Sequence, residues 1–194
     1  MPLAQPVTLG VVVGSLRAAS TTRRVAQALL DAAPPVFVPS FITIGDLPLY
    51  DEDLDVEVAA EPPPAWARFR AEVAACDALL FVTPEYNRSV PAPLKNAVDV
   101  GSAPHERNAF RGRPAAVVSA SPGRLGAFGA NHHLRQSLVF LDVPTMPQPE
   151  LYLSGSAGLF DTDGALADPA THERLAAFMR AFAVWVQRHA TVPA

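Results

Sequence analysis

The chain has 194 residues with 15 basic and 19 acidic side chains, a formal charge of −4. That length suits a single compact domain spanning residues 1–194, and the mild acidity argues against nucleic acid as a main partner. One cysteine excludes an intramolecular disulfide framework. No apolar stretch is long enough to cross a bilayer and no leader pattern opens the chain, so a cytoplasmic protein that makes no use of a membrane is expected.

Residues 7–13 read as a buried strand, short, β-branched and apolar almost throughout. The strand runs into Gly14-Ser15-Leu16-Arg17-Ala18-Ala19-Ser20-Thr21-Thr22. Helix N-termini leave backbone N–H groups unpaired and carry partial positive charge, so anions settle there. Ser15, Ser20, Thr21 and Thr22 each offer an O–H, and Arg17 offers a planar fork of donors. The stretch lacks the second glycine and Lys-Ser/Thr pair of a Walker A loop, the three glycines of a dinucleotide fingerprint, and a cysteine nucleophile. What remains is a cradle for a phosphate without machinery to transfer it. The competing reading of this loop alone is a plain turn with Ser20 as N-cap.

Val25, Ala28, Leu29 and Ala32 then mark one face of a helix, stopped by Pro34-Pro35. Residues 36–44 read as a second strand, followed by the apolar loop Leu47-Pro48-Leu49-Tyr50 and an acidic run, Asp51, Glu52, Asp53, Asp55 and Glu57, expected to be a solvated loop. Pro62-Pro63-Pro64 announces a helix whose apolar face carries Trp66, Phe69, Val73 and Cys76, the last as a small core residue. A third strand, residues 78–83, ends in Pro84-Glu85-Tyr86-Asn87-Arg88-Ser89-Val90-Pro91, and Pro91 or Pro93 suits the first turn of the helix with Leu94, Ala97 and Val98. A fourth strand, residues 115–119, runs into Ala120-Ser121-Pro122-Gly123-Arg124-Leu125-Gly126 and a helix bearing Leu134, Leu138 and Leu141. Residues 143–152 hold a short, proline-interrupted last strand, and Leu175, Phe178, Met179, Phe182 and Val186 stripe the closing helix.

Strands alternate with helices five times. The pattern predicts an α/β three-layer sandwich with a five-stranded parallel sheet and right-handed crossovers. In the flavodoxin-like order 2-1-3-4-5, ligands bind at the carboxyl ends of the strands, where the three unusual loops lie. A phosphate-bearing ligand with a flat polar ring fits them. Tyr86 supplies an aromatic wall, the backbone around Pro84, Glu85 and Asn87 supplies donors, and Ser121 and Gly123 meet the ring's other end. For Glu85 a loop-bracing or capping carboxylate is an equal alternative.

These residues match a pattern. The chain resembles the NADPH-dependent FMN reductases of flavodoxin-like fold, a group that includes quinone, chromate and azo-dye reductases. The resemblance rests on Gly14-Ser15-Leu16-Arg17-x-x-Ser20, Leu47-Pro48-Leu49-Tyr50-Asp51, Thr83-Pro84-Glu85-Tyr86-Asn87-x-Ser89-x-Pro91, Leu94-Lys95-Asn96-Ala97, Ser121-Pro122-Gly123-Arg124 and Leu134-Arg135-Gln136. It implies FMN as cofactor and NADPH or NADH as co-substrate. It implies Ser15, Leu16, Arg17, Ser20, Thr21 and Thr22 around the FMN phosphate, and Pro84, Glu85, Tyr86, Asn87, Ser121 and Gly123 around the ring. Thr22 stands where the family commonly has Asn, and Ala19 where it often has Gly. No residue resembles a dedicated acid, base or nucleophile, because the flavin carries the hydride chemistry. The resemblance further implies a homodimer or homotetramer, with small electron acceptors such as quinones as substrates. Apolar groups on the Leu47–Leu54 loop and on the helix after Tyr86 are expected to face the partner. Arg88 or Arg124 is a candidate for the nucleotide's phosphates. His132-His133 has no metal-site spacing and reads as a surface or interface pair. An acidic electron carrier of flavodoxin type is the alternative from another class.

Overall fold

The computed structural model describes residues 5–189. Five strands, β1 (Val7–Val13), β2 (Phe37–Ile42), β3 (Ala78–Thr83), β4 (Ala115–Ala120) and β5 (Leu151–Leu153), form one parallel sheet in the order β2-β1-β3-β4-β5. Five α-helices alternate with them: α1 (Thr21–Asp31), α2 (Pro64–Ala74), α3 (Ala92–Ser102), α4 (Phe128–Phe140) and α5 (Pro169–His189). This is the flavodoxin-like order expected from the alternation.

The central strands are apolar on both faces because both faces are covered. On one face Leu9, Val11, Leu80, Val82 and Val118 pack against Leu29 of α1 and Phe178 and Phe182 of α5. On the other, Val12, Leu79, Phe81 and Val117 pack against Trp66 and Phe69 of α2, Leu94 of α3, and Leu134 and Leu138 of α4. Register then sets the site. Val13 pairs with Val82, and Thr83 pairs with Ser119. The chain therefore leaves β1, β3 and β4 at nearly one level, and their loops become neighbours.

Several details differ from the sequence reading. The second strand stops at Ile42, because the carbonyl of Thr43 is taken by the Arg68 guanidinium at 3.1 Å instead of by a neighbouring strand. The last strand is only Leu151–Leu153; Thr145 makes one isolated parallel bridge to Ala115, and Pro144, Pro147 and Pro149 break up the rest. Asp55 is not a solvated member of its acidic run. It is 3% exposed and pairs with Arg70 through both carboxylate oxygens, at 2.8 and 2.7 Å. Cys76 lies just beyond α2, half-buried, where its thiol donates to the Glu72 carbonyl at 3.2 Å. No helix among the described residues is long and apolar enough to cross a membrane.

Candidate functional site

The β1–α1 loop begins with a close approach. The Gly14 N–H donates to the Val82 carbonyl at 2.9 Å, tying the loop to β3. A Cβ on Gly14 would lie 3.1 Å from Leu94 Cδ2 and 3.2 Å from both Pro84 Cδ and Thr83 Oγ1, so a side chain there would push against the neighbouring loop. Ser20 is the N-cap of α1 and its hydroxyl accepts from the Arg23 N–H at 3.2 Å. The same hydroxyl lies 2.9 Å from Thr22 Oγ1, and both residues are only 3% exposed. The capping reading of Ser20 is thus correct, and it leaves the N–H groups of Thr21 and Thr22 without an intrahelical acceptor. Ser15 Oγ accepts from the Arg17 N–H at 3.4 Å. Leu16 is 55% exposed and lies against Gly45, and Arg17 is exposed.

The β3–α3 loop is a rigid hairpin. Tyr86 and Ser89 exchange backbone hydrogen bonds of 3.2 and 3.0 Å, with Asn87 at φ 51° and Arg88 at φ 64° between them. Two successive left-handed residues make this a type I′ turn. Its aromatic member, Tyr86, is 46% exposed. Glu85 turns the other way. Its side chain is 10% exposed, and Oε2 accepts from the Ala130 N–H at 3.0 Å in the first turn of α4. Ser89 Oγ and His133 Nδ1, 3.1 Å apart, add a second strap to α4.

The β4–α4 loop is held from below and from the side. The Ser119 hydroxyl, fully buried, donates to the Gly126 carbonyl at 2.7 Å and accepts from Asn131 Nδ2 at 3.2 Å. Ser121 donates its N–H to the Leu153 carbonyl at 3.0 Å and accepts from the Ser156 N–H at 3.0 Å. Gly123 is exposed, with only Ser121 Oγ within 4 Å of where a Cβ would stand. Beneath α4, Arg135 donates to Asn131 Oδ1 and the Met146 carbonyl, both at 2.8 Å. Tyr152 Oη and His132 Nε2 are 2.9 Å apart; burial, then the hydrogen bond with Glu150, pushes the Tyr152 phenol up to about 12.

The twelve site residues expected from the sequence therefore fall on three loops at the carboxyl ends of adjacent strands, and, for Thr21 and Thr22, on the first turn of α1. Gly14 packs the first loop against the second, and α4 clamps the second beside the third. Among the described residues the N–H groups of Ser15, Leu16, Glu85 and Asn87 bond no acceptor. Unpaired hydroxyl and N–H donors with a helix N-terminus at one end, and an exposed aromatic with free backbone donors at the other, fit a phosphorylated flavin. The structural supports Ser119 and Asn131 escaped the sequence reading, since a buried Ser or Asn carries no pattern beyond its strand or helix. The helix after Tyr86 buries its apolar face. The Leu47–Leu54 loop does expose apolar groups, Leu49 at 77% most of all, and α4 adds Val139 (73%) and Phe140 (77%).

Comparison with known proteins identifies the family. The model of the family described as NADPH-dependent FMN reductase matches residues 7–158. A quinone reductase of Pseudomonas putida is 54% identical over 190 residues, 98% of this chain and 100% of the relative. An NAD(P)H-dependent FMN reductase of Pseudomonas aeruginosa is 43% identical over 175 residues, 90% of this chain and 92% of the relative. Among solved structures, the flavoenzyme NAD(P)H:(acceptor) oxidoreductase FerB of Paracoccus denitrificans superposes with a TM-score of 0.88 at 36% identity, covering 95% of this chain and 100% of FerB. The chain belongs to the NADPH-dependent FMN reductase family.

Proposed function

We propose that the three loops form one FMN site. Ser15, Leu16, Arg17, Ser20, Thr21 and Thr22 surround the phosphate, Pro84, Glu85, Tyr86 and Asn87 border the ring, and Ser121 and Gly123 meet its far end. The carrying observation is the shared level of the loops after β1, β3 and β4, which sets a helix N-terminus beside a rigid aromatic hairpin. The chain is an FMN-dependent NAD(P)H oxidoreductase acting on quinones. When bound, FMN supplies the two-electron chemistry between nicotinamide and acceptor.

The protein's own part is placement. The α1 N-terminus and Arg17 offer positive potential to a dianion. Thr22 Oγ1, 2.9 Å from the Ser20 hydroxyl, orients that hydroxyl from the inner side of the cradle. Tyr86 walls the ring, and Glu85 contributes through its backbone while its carboxylate braces α4. No carboxylate or imidazole is assigned a proton-transfer role.

The whole chain is read as one FMN-binding domain working in the cytoplasm. A homodimer or homotetramer is supported by the exposed Leu49, Val139 and Phe140, whose apolar area a partner copy would cover. Light scattering on the purified protein checks this, and a monomer at micromolar concentration would overturn it.

Anaerobic titration of the purified protein with NADPH and NADH, followed by a quinone, tests the site. Bleaching of a bound yellow flavin and its recovery on adding quinone are expected. Arg17→Ala is expected to weaken FMN binding about tenfold, the effect of one lost charge-assisted hydrogen bond. A protein that takes up no FMN, or an Arg17→Ala variant of unchanged affinity, would remove the cradle reading.

A further inference from the structure

A cleft of about 470 Å³ opens beside the cradle on the β2 side of α1. Its walls include Ser15, Leu16, Arg17 and Ala18 of the loop, Arg23 of α1, and residues 41–45 at the end of β2 and just after it. No carboxylate lines it. Neither Arg17 nor Arg23 has an acidic partner among the described residues. Asp46, next along the chain, is already paired with Arg68 at 2.9 Å. In a protein of net negative charge, two unpaired arginines on one carboxylate-free wall mark a site for an anion.

Arg23 is also pre-positioned. Its guanidinium lies 4.5 Å over the Phe41 ring. Stacking holds the planar fork of donors in one orientation, so less freedom is lost when it grips a phosphate. Arg24, the next residue, lies on the other flank of α1, 4.1 Å over Phe160, in a separate cleft whose walls include Asp31. The two neighbours thus face different clefts, and only that of Arg23 is continuous with the cradle.

We propose that this cleft receives the 2′-phosphate of NADPH, and that Arg23 is a specificity-determining residue for NADPH over NADH. The inference rests on the FMN reading above, which gives the α1 N-terminus and Arg17 to the flavin phosphate. Arg23, on the first turn of α1, is then a cation with no anion assigned to it. The only anionic group that NADPH has and NADH lacks is the 2′-phosphate. A guanidinium meets such a group through paired, charge-assisted hydrogen bonds.

The test uses the FMN-loaded protein and its Arg23→Gln and Arg24→Gln variants. In Arg23→Gln the KM for NADPH is expected to rise about tenfold or more, while the KM for NADH, kcat and FMN affinity stay as they were. Calorimetry gives a readout free of turnover: the unaltered protein binds 2′,5′-ADP more tightly than 5′-AMP, Arg23→Gln abolishes the difference, and Arg24→Gln keeps it. The proposal is overturned if the unaltered protein shows no preference for the 2′-phosphate. It is equally overturned if Arg23→Gln changes both cofactors alike or neither, if it weakens FMN binding, or if Arg24→Gln reproduces its effect. Failure of the unaltered protein to bind FMN defeats the parent reading instead, and the 2′,5′-ADP titration still decides the assignment of Arg23.

Discussion

The carboxylate of Glu85, on the loop after β3, accepts a hydrogen bond from the backbone N–H of Ala130 in the first turn of α4, at 3.0 Å. α4 has no side-chain cap of its own, because Ala127 occupies its N-cap position at φ 63°. Glu85 takes over that role from a distant part of the chain. One contact therefore both satisfies a helix terminus and clamps the loop that borders the ring to the helix that follows the third site loop.

Removing this cap is expected to cost stability and cofactor affinity together. Glu85→Ala should lower unfolding stability by about 1–2 kcal/mol, the usual loss of an N-cap reinforced by charge at a helix N-terminus. FMN should dissociate faster from the same variant, because its ring loop loses its brace. Urea unfolding and flavin release kinetics measure the two effects. A variant with the melting curve of the parent protein would show that the contact carries nothing.

Gly129 should not tolerate alanine, although it lies in a helix where alanine is ordinarily better. A Cβ there would sit 2.8 Å from the Arg88 carbonyl oxygen and 2.9 Å from Glu85 Oε2. The intrinsic gain is up to about 1 kcal/mol, whereas forcing atoms into a packed contact against backbone costs about 1–3 kcal/mol. Gly129→Ala is therefore expected to destabilise, with the hairpin displaced and FMN affinity reduced. A melting temperature above that of the parent protein would contradict the predicted sign.

Arg88 occupies the second central position of the type I′ turn, where glycine is favoured. Its side chain is 75% exposed, and its 3.3 Å contact to Glu85 is worth little. Arg88→Gly should raise stability by about 0.5–1 kcal/mol by relieving the left-handed conformation. Thermal unfolding of the variant beside the parent protein checks the direction.

Asp55 gives the fold an acid limb. Burial pushes its carboxyl up, but hydrogen bonds from Arg70 and from the Val56 N–H outweigh burial and hold it below the usual carboxylate range. A depressed folded value adds stability above the unfolded value of about 4, and that stability is lost as the pH falls below it. Arg70→Met leaves the carboxylate buried without its partner and should cost about 3 kcal/mol near neutral pH. Chemical denaturation from pH 7 to pH 3 measures both, and the acid-side slope should be shallower in the variant.

Much of the architecture was legible in the sequence because it depends on periodicity. Apolar runs in 7–13, 78–83 and 115–119 are strands buried on both faces, and the stripes around Trp66, Leu134 and Phe178 are helices on those faces. The start of α1 was legible too, since Ser20 caps a helix that must begin there. Asp55 was misread because charge alone says nothing about a guanidinium fifteen residues away. Exposed apolar side chains were expected on the loop that holds Leu49, where they are found, and on the helix after β3, whose apolar face is buried, because a stripe's buried and exposed sides are told apart only by what packs on it.

What the sequence determined by itself is the order of elements and which loops carry unusual donors, both consequences of local pattern. What only the tertiary structure decided is which of the polar and charged side chains there remain free. Glu85 is spent on Ala130 and Thr22 on Ser20, whereas Arg17 and Arg23 keep their forks unpaired on one wall. A side chain's chemistry is written in its residue type, but its availability depends on partners that the sheet register and helix packing bring within 3 Å.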